Sequence, residues 1–268
     1  MQVAVIGHIE WGRFVLVDTV PKPGEIVHTN DTWQEVAGGG SVAAMQLAEL
    51  ADSCLFFTAA GNDEFGKRSI EQMESKGVEV YASVLDEVTT KDIYVYIDNQ
   101  KERTITVTGN LKPDGNDSNL PWGKLADVDA VYFVSGNQAA LLAARKAKTL
   151  VSTVRILPRL AESGVQFDAL VCSKKDTGEL YRDGDLSPKP KLVVTTAGVE
   201  GGSCSNGEKY NAEIVPESDI VDTYGCGDSF AAGLTFALGQ NKDLSEALKF
   251  AAHCGAEAAR RRGSFGNG

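Results

Sequence analysis

The residues best placed to do chemistry lie in Val221–Gly239, VDTYGCGDSFAAGLTFALG. Two glycines bracket Cys226, Asp228 follows at once, and an apolar run comes next. Phe230, Leu234 and Leu238 fall four apart, so they share one buried face of a helix, and Gly239 stands where a helix stops. That helix is expected to begin close to Gly227–Asp228, with the amides of Gly225, Cys226 and Gly227 at its positive end. Free N–H groups, the helix dipole and glycines that admit an anion closely make a phosphate site. A carboxylate there would repel a merely bound anion. It makes sense if Asp228 takes the proton of an alcohol attacking a phosphoryl group held by those amides. The other reading of the same residues is a glycine turn with Asp228 as a helix cap.

The elements that must position this segment alternate in type along 268 residues, enough for one large α/β domain or two small ones. Val3–Ile6 reads as a buried strand. Phe14–Asp18, Glu25–His28 and Thr32–Val36 read as short strand-like pieces around a turn at Pro21–Gly24. A glycine turn at Ala37–Gly40 feeds a helix over Ser41–Leu50. A strand at Cys54–Ala59, a helix at Glu64–Lys76 and a strand at Val78–Val84 follow. Between Lys91 and Thr108 the pattern predicts a hairpin with alternating faces. From Val131 strands and helices alternate, with helices expected over Gln138–Lys148, Arg155–Ser163 and Lys174–Leu180. Such alternation means a parallel sheet covered on both faces. Two hairpins are expected near Gly201–Lys209 and Tyr210–Ile214, then helices over Cys226–Leu238 and Leu244–Arg262.

Composition narrows the partners. The net charge of −11 argues against nucleic acid or an anionic membrane. An enzyme with anionic substrates then needs a locally positive site, which the start of the Cys226 helix supplies. Five cysteines, widely spaced and without a CxxC pair, read as buried thiols in a reducing compartment. MQVAVIG starts straight into a strand, without a basic leader or long apolar span, so a cytoplasmic location is expected.

DTYGCGDSFAAG resembles the C-terminal signature of the PfkB-type, ribokinase-like carbohydrate kinases, D-T-x-G-A-G-D-x-F-x-x-G, with Cys226 in the place of its alanine. The resemblance covers nearly the whole chain. It implies a single kinase domain over residues 1–268, a three-layer α/β/α sandwich with a mainly parallel central sheet. A small β lid, segments about 11–36 and 81–108, would cover the sheet's carboxyl edge and in this family is often a dimer surface. ATP with magnesium would donate a phosphoryl group to a hydroxyl of a sugar or polyol, with Asp228 as base.

Other segments fall into register with that family. GGGS resembles part of its N-terminal signature G-G-x-x-x-N-x-A, so Gly38, Gly39 and Gly40 would let backbone approach the sugar. The family's asparagine aligns with Ala43, and the aspartate of its G-x-x-x-x-D segment aligns with Gly12. Both departures touch the acceptor, and Glu10 or Asp18 are the carboxylates near enough in sequence to compensate. VVTTAGVEGG resembles the nucleotide segment T-x-G-x-x-G, with Thr196, Gly198 and Gly201 in register. SKKD stands in place of N-x-x-E, so Asp176 would support magnesium through water. Asp222 aligns with a residue that helps bind potassium, and His253 with a region lining the adenine pocket.

GNDEFGKR at Gly61–Arg68 fits a phosphate-loop spacing. However, Arg68 replaces the Ser/Thr that would hold magnesium, and Asp63 and Glu64 would oppose phosphate. The family has a G-x-D-x-x-G turn here instead. Two other functions stay open on sequence: a nucleoside kinase whose base would stack on Trp11, Trp33 or Phe14, and a sugar- or nucleotide-binding regulator without catalysis.

Overall fold

A computed structural model describes residues 1–29, 31–176 and 178–266. Strand β1 (Gln2–Ile6) lies within a nine-stranded sheet. Its alternate residues enter opposite layers: Val3 and Val5 one core, Ala4 and Ile6 the other. A strand buried on both faces must be apolar at every position, which is why QVAVI lacks the polar alternation of a half-exposed strand.

Around β1 the chain adds β2 (Glu10–Leu16), β3 (Thr32–Ala37), α1 (Gly39–Leu50), β4 (Ser53–Gly61), α2 (Glu64–Ser75), β5 (Val78–Leu85), β6 (Lys91–Ile97) and β7 (Arg103–Thr108). It continues with β8 (Ala130–Phe133), α3 (Gln138–Ala144), β9 (Thr149–Thr153), α4 (Leu157–Ala161), β10 (Ala169–Ser173), β11 (Val193–Thr196), β12 (Gly202–Cys204) and β13 (Lys209–Tyr210). Helices α5 (Cys226–Gly239) and α6 (Leu244–Ala259) follow. The large sheet runs β13-β12-β11-β10-β9-β8-β1-β4-β5, parallel from β11 to β5 and antiparallel at the β12–β13 edge. Residues of α1, α5 and α6 share one core with it, residues of α3 and α4 the other. The fold is therefore the expected α/β/α sandwich.

A second, four-stranded sheet, β3-β2-β6-β7, forms the small β layer. Strands β2 and β3 supply its Glu10–Leu16 and Thr32–Ala37 segments. Residues 81–85 instead extend β5 at the edge of the large sheet, so the second lid strand starts at Lys91.

Some local expectations fail for identifiable reasons. Glu25–His28 is irregular and exposed, with Ile26 86% accessible, because among the described residues no strand pairs with it. The helix expected over Lys174–Leu180 includes Thr177, which lies outside the described residues. Around it the chain turns: Asp176 Oδ1 accepts the Gly178 N–H at 2.9 Å, a side-chain turn that competes with a helix. The helices from Gln138 and Arg155 are shorter than their patterns suggest, and Val154–Ile156 is a 3₁₀ turn. Only the first of the two late hairpins forms, as β12–β13; after Tyr210 the chain is irregular up to a 3₁₀ turn at Glu217–Asp219.

Helix α5 is apolar nearly all round, buried from Ser229 to Ala237 between α1, α6 and the sheet. Phe230 and Leu234 are buried and Leu238 partly so. A helix packed on every side holds its first turn rigidly, and that turn carries Asp228. Among the described residues no helix is long and apolar enough to cross a membrane.

Candidate active site

Gly225 takes φ +78°, the left-handed conformation that glycine adopts without strain, and turns the chain into α5. The helix begins at Cys226, slightly earlier than its pattern suggests, and no side chain caps it. Ser229 N–H is the first to bond back, to Gly225 O at 2.8 Å. The amides of Cys226, Gly227 and Asp228 consequently lack an intrahelical acceptor and point out of the helix start. A Cβ on Gly227 would meet nothing within 4 Å, so the approach is open. Asp228 occupies the first turn but makes no capping bond, which removes the reading of it as a helix cap.

The opposite wall is the turn into α1. Gly38 adopts φ +96°, and its N–H donates to the buried Tyr224 Oη at 2.9 Å. Gly39 N–H donates to His8 Nε2 at 3.2 Å. To accept, Nε2 must be unprotonated, and burial depresses the His8 pKa below its ordinary value despite the nearby Glu10 carboxylate. A Cβ on Gly39 would sit 2.6 Å from Asp228 Oδ1. A Cβ on Gly40 would collide with the His8 backbone. The three glycines are thus needed for the backbone to pass this close, and the structure brings Gly38, Gly39, Gly40 and Asp228 together.

Glu10 belongs to the same wall. It is buried, with its Cγ 3.0 Å from where a Gly38 Cβ would stand, and its Oε1 receives Lys91 Nζ at 2.6 Å. His8 Nε2 lies 3.8 Å from the same oxygen. This His8–Glu10–Lys91 group lies beside Gly38, near the positions of Gly12 and Ala43, which carry no polar side chain. At Gly12 a Cβ would come within 2.6 Å of the Phe14 ring, so this lid cannot accommodate an aspartate there. Ala43 is fully buried in the core. His8, Tyr224 and Lys91 were not singled out by sequence; none belongs to a fixed motif position, and only a lysine opening a β-rich segment hinted at one of them.

On the other side of the sheet's centre, β11 ends at Thr196 and runs into the turn expected to border a nucleotide. Gly198 and Gly201 adopt φ +62° and +82°, and a Cβ on Gly201 would strike the Tyr210 carbonyl. Thr196 Oγ1 donates to Cys172 O at 3.2 Å, holding β11 to β10. Asp176 follows β10 at the surface. Asp222 is buried, and its two oxygens accept N–H bonds from Tyr224 and Gly263, each 2.8 Å. Burial raises its pKa against those bonds. His253 is exposed on α6, with Nδ1 2.9 Å from Glu213 Oε2; Glu257 completes a group whose ligand atoms lie within 4.8 Å of one another. The lid touches the motif loop directly, since Thr223 N–H donates to Lys101 O at 3.2 Å.

The lid aromatics are occupied. Trp11 is buried, stacked on Phe65 at 5.5 Å and under the Arg68 guanidinium. Phe14 is buried between Trp33, stacked at 4.8 Å, and the edge of Tyr224. In GNDEFGKR, Asp63 caps α2 through Gly66 N–H at 2.7 Å and also accepts from Thr90 N–H and Oγ1. That helix start is already filled by a carboxylate.

An uncapped helix start, a carboxylate beside it and a glycine wall opposite are the arrangement of a phosphotransferase. The family model of the pfkB family carbohydrate kinases matches residues 1–176 and 184–266, and the chain belongs to that family. It is similar to an ATP-dependent ribose-1-phosphate kinase of Halopiger xanaduensis, 25% identical over 281 residues and covering 98% of this chain and 94% of the relative. It is also similar to a ribokinase of Dictyostelium discoideum, 20% identical with 98% and 95% covered. Among solved structures, adenosine kinase from Sinorhizobium meliloti superposes with a TM-score of 0.83 at 16% identity, covering 100% of this chain and 96% of that one. Ribokinase of Arabidopsis thaliana complexed with ribose and ATP gives 0.74 at 20%, covering 99% and 95%. The protein is a ribokinase-like carbohydrate kinase.

Proposed function

We propose that the chain, acting as one kinase domain, transfers the γ-phosphoryl group of ATP to a hydroxyl of a sugar or polyol, with Asp228 as general base. The acceptor oxygen forms the new P–O bond and the bond to ADP breaks with its electron pair leaving on ADP. The acceptor proton passes to Asp228. The observation that carries this reading is the uncapped start of α5 with Asp228 against Gly39. The amides of Gly225, Cys226 and Gly227 hold the transferring group, and electrostatic stabilisation of this kind is worth on the order of 100–1000-fold in rate per donor.

Thr196, Gly198 and Gly201 border the nucleotide, and His253 lies on the helix assigned to the adenine side. Magnesium, when bound, neutralises phosphate charge. Asp176 suits a water-mediated contact, because it is exposed and, among the described residues, only Oδ1 makes a hydrogen bond. A potassium ion is assigned to the neighbourhood of Asp222. That carboxylate already accepts two backbone bonds, so comparing rates in potassium and sodium is the direct test. Cytoplasmic location and pairing through the lid complete the reading.

Glu10, with Lys91 and His8, takes over the recognition of acceptor hydroxyls. A nucleoside acceptor finds less support, since Trp11 and Phe14 are spent in packing. A binding-only regulator has no use for a carboxylate beside a phosphate site. Screening ATP consumption against ribose, ribose 1-phosphate, other sugars, inositol and nucleosides tests the reading. Clear ligand binding without turnover on any acceptor would replace it with the regulator.

A further inference from the structure

Beyond the motif residues, one charged side chain stands at the midpoint of the site. Arg155 follows β9, and β9 lies between the acceptor strand β1 and the nucleotide strand β11 in the sheet order. Helix α5, which carries Asp228, packs on β8 and β9. Arg155 is thus delivered to the carboxyl edge of the sheet beneath the start of α5, where the two substrates must meet.

Its guanidinium is fixed but not used up. Arg155 Nε donates to Glu179 Oε1 at 2.7 Å; the Glu179 side chain is 8% accessible and that of Arg155 51%. Among the described residues no hydrogen bond engages either terminal nitrogen, so their four N–H donors remain available. Burial opposes the charge of Arg155, but the Asp228 carboxylate and then Glu179 more than compensate, so its pKa stands above the ordinary arginine value. The charge of Arg155 is also sensed by His8 and by the buried Tyr132. Asp228, His8 and Tyr132 thus lie within electrostatic range of the guanidinium. In a chain of net charge −11, a cation anchored at this point has a strong electrostatic reason to be there.

We infer that Arg155 is a further catalytic residue, its guanidinium contacting the γ-phosphoryl group as it passes from ATP to the acceptor, and that Glu179 is the positioning residue that aims it. A planar fork with two free nitrogens matches phosphoryl oxygens, and arginine contributions to phosphoryl transfer are large because charge spreads over those oxygens. The inference rests on the kinase reading above. An anionic group on the acceptor is the competing ligand for the same guanidinium.

Calorimetric titration of the whole protein with magnesium and either ADP or the non-hydrolysable ATP analogue AMP-PNP separates these cases without needing the acceptor. Wild type should bind AMP-PNP more tightly than ADP. Arg155→Gln should weaken AMP-PNP about tenfold, the scale of one charge-assisted hydrogen bond, and leave ADP unchanged. Arg155→Lys should lie between, and Glu179→Gln should shift the AMP-PNP to ADP ratio in the same direction by less. Melting curves identify any variant that fails to fold, in which case the lysine variant carries the test. An unchanged AMP-PNP to ADP ratio in both Arg155 variants overturns the inference. If that ratio holds while binding of ribose 1-phosphate alone is lost, the guanidinium serves the acceptor instead, and the inference again fails. Wild type that binds neither nucleotide defeats the kinase reading itself, a result distinct from a wild type that binds both and a variant that loses both equally.

Discussion

The carboxylate of Asp228 lies against the bare α-carbon of Gly39: a methyl group built there would be 2.6 Å from Oδ1 and 3.1 Å from Cγ. Two segments nearly 190 residues apart in sequence thus share one van der Waals boundary. Gly39 sits in the first turn of α1 with ordinary helical backbone, so alanine is tolerated by the helix itself. The steric cost falls on the Asp228 side chain alone. Gly39→Ala is therefore expected to fold normally, with an unchanged melting temperature, while kcat drops on the order of 100-fold, the penalty of displacing a reacting group by about 1 Å. Normal turnover in the variant would show that the two residues do not share a working geometry.

Removing the charge from Asp228 tests the base directly. Asp228→Asn retains shape and ATP binding, and turnover should fall by about 100–10,000-fold, the range of a lost general base. Steady-state rates on the acceptor found by the screen, paired with calorimetric ATP affinity, make the measurement. Most of the activity surviving would assign the proton elsewhere.

The Glu10–Lys91 pair is a buried ion pair, with side chains 6% and 13% accessible. Breaking one member strands the other. Lys91→Met alone should destabilise the fold by about 3–5 kcal/mol, whereas Glu10→Gln combined with Lys91→Met should recover much of that loss. Urea denaturation of the two singles and the double provides the cycle. Additive losses would mean the residues are not coupled.

His8 gives the site a pH dependence whose sign follows from its burial. Its folded pKa lies below the ordinary 6.5 because burial disfavours the imidazolium, and Nε2 accepts the Gly39 N–H only when unprotonated. Between the folded value and 6.5 the unfolded chain binds more protons than the native one, so stability rises with pH across that window. The contribution is fully present above about pH 6.5 and is lost as pH falls toward the folded pKa. His8→Asn, which keeps an acceptor but cannot titrate, should flatten the dependence of melting temperature on pH between 5 and 7, a window of about 2 units around the imidazole value. An equally steep curve in the variant would trace the dependence to another group.

The start of α5 was legible in the sequence because it depends on backbone: glycines at Gly225 and Gly227 and an apolar helix after them can do little else. Layer order was legible for the same reason, since alternating segments such as QVAVI leave few ways to cover a sheet. The acceptor end was not. Of the residues proposed for it, Glu10 could be named from sequence, but His8 and Lys91 could not, because Lys91 reaches Glu10 through the packing of β2 against β6 rather than through any local spacing. Arg155 and Glu179 were hidden likewise, joined across β9 and β10 by tertiary contact. The expected helix at Lys174–Leu180 misled because the turn formed by Asp176 and Gly178 overrode its charged, helix-like composition.

Cys226 stands where the family motif has alanine, between the two glycines of the amide cradle, and its thiol has two roles open to it. A reactive thiolate there would bring a second negative charge to the phosphate, working against the helix start. Burial instead pushes its pKa up to about 12, despite the nearby Arg103 charge, so the group is a neutral thiol at pH 7. As a neutral, mostly covered side chain it contributes volume, while the backbone amide does the binding. Cys226→Ala should accordingly keep kcat within about twofold, a change below 0.5 kcal/mol in barrier. Native protein treated with iodoacetamide at pH 7 should remain unmodified at this position when mapped by mass spectrometry, because the thiolate is the nucleophile and is scarcely populated. Rapid alkylation confined to Cys226, with loss of activity in the alanine variant, would instead make the thiol part of the chemistry.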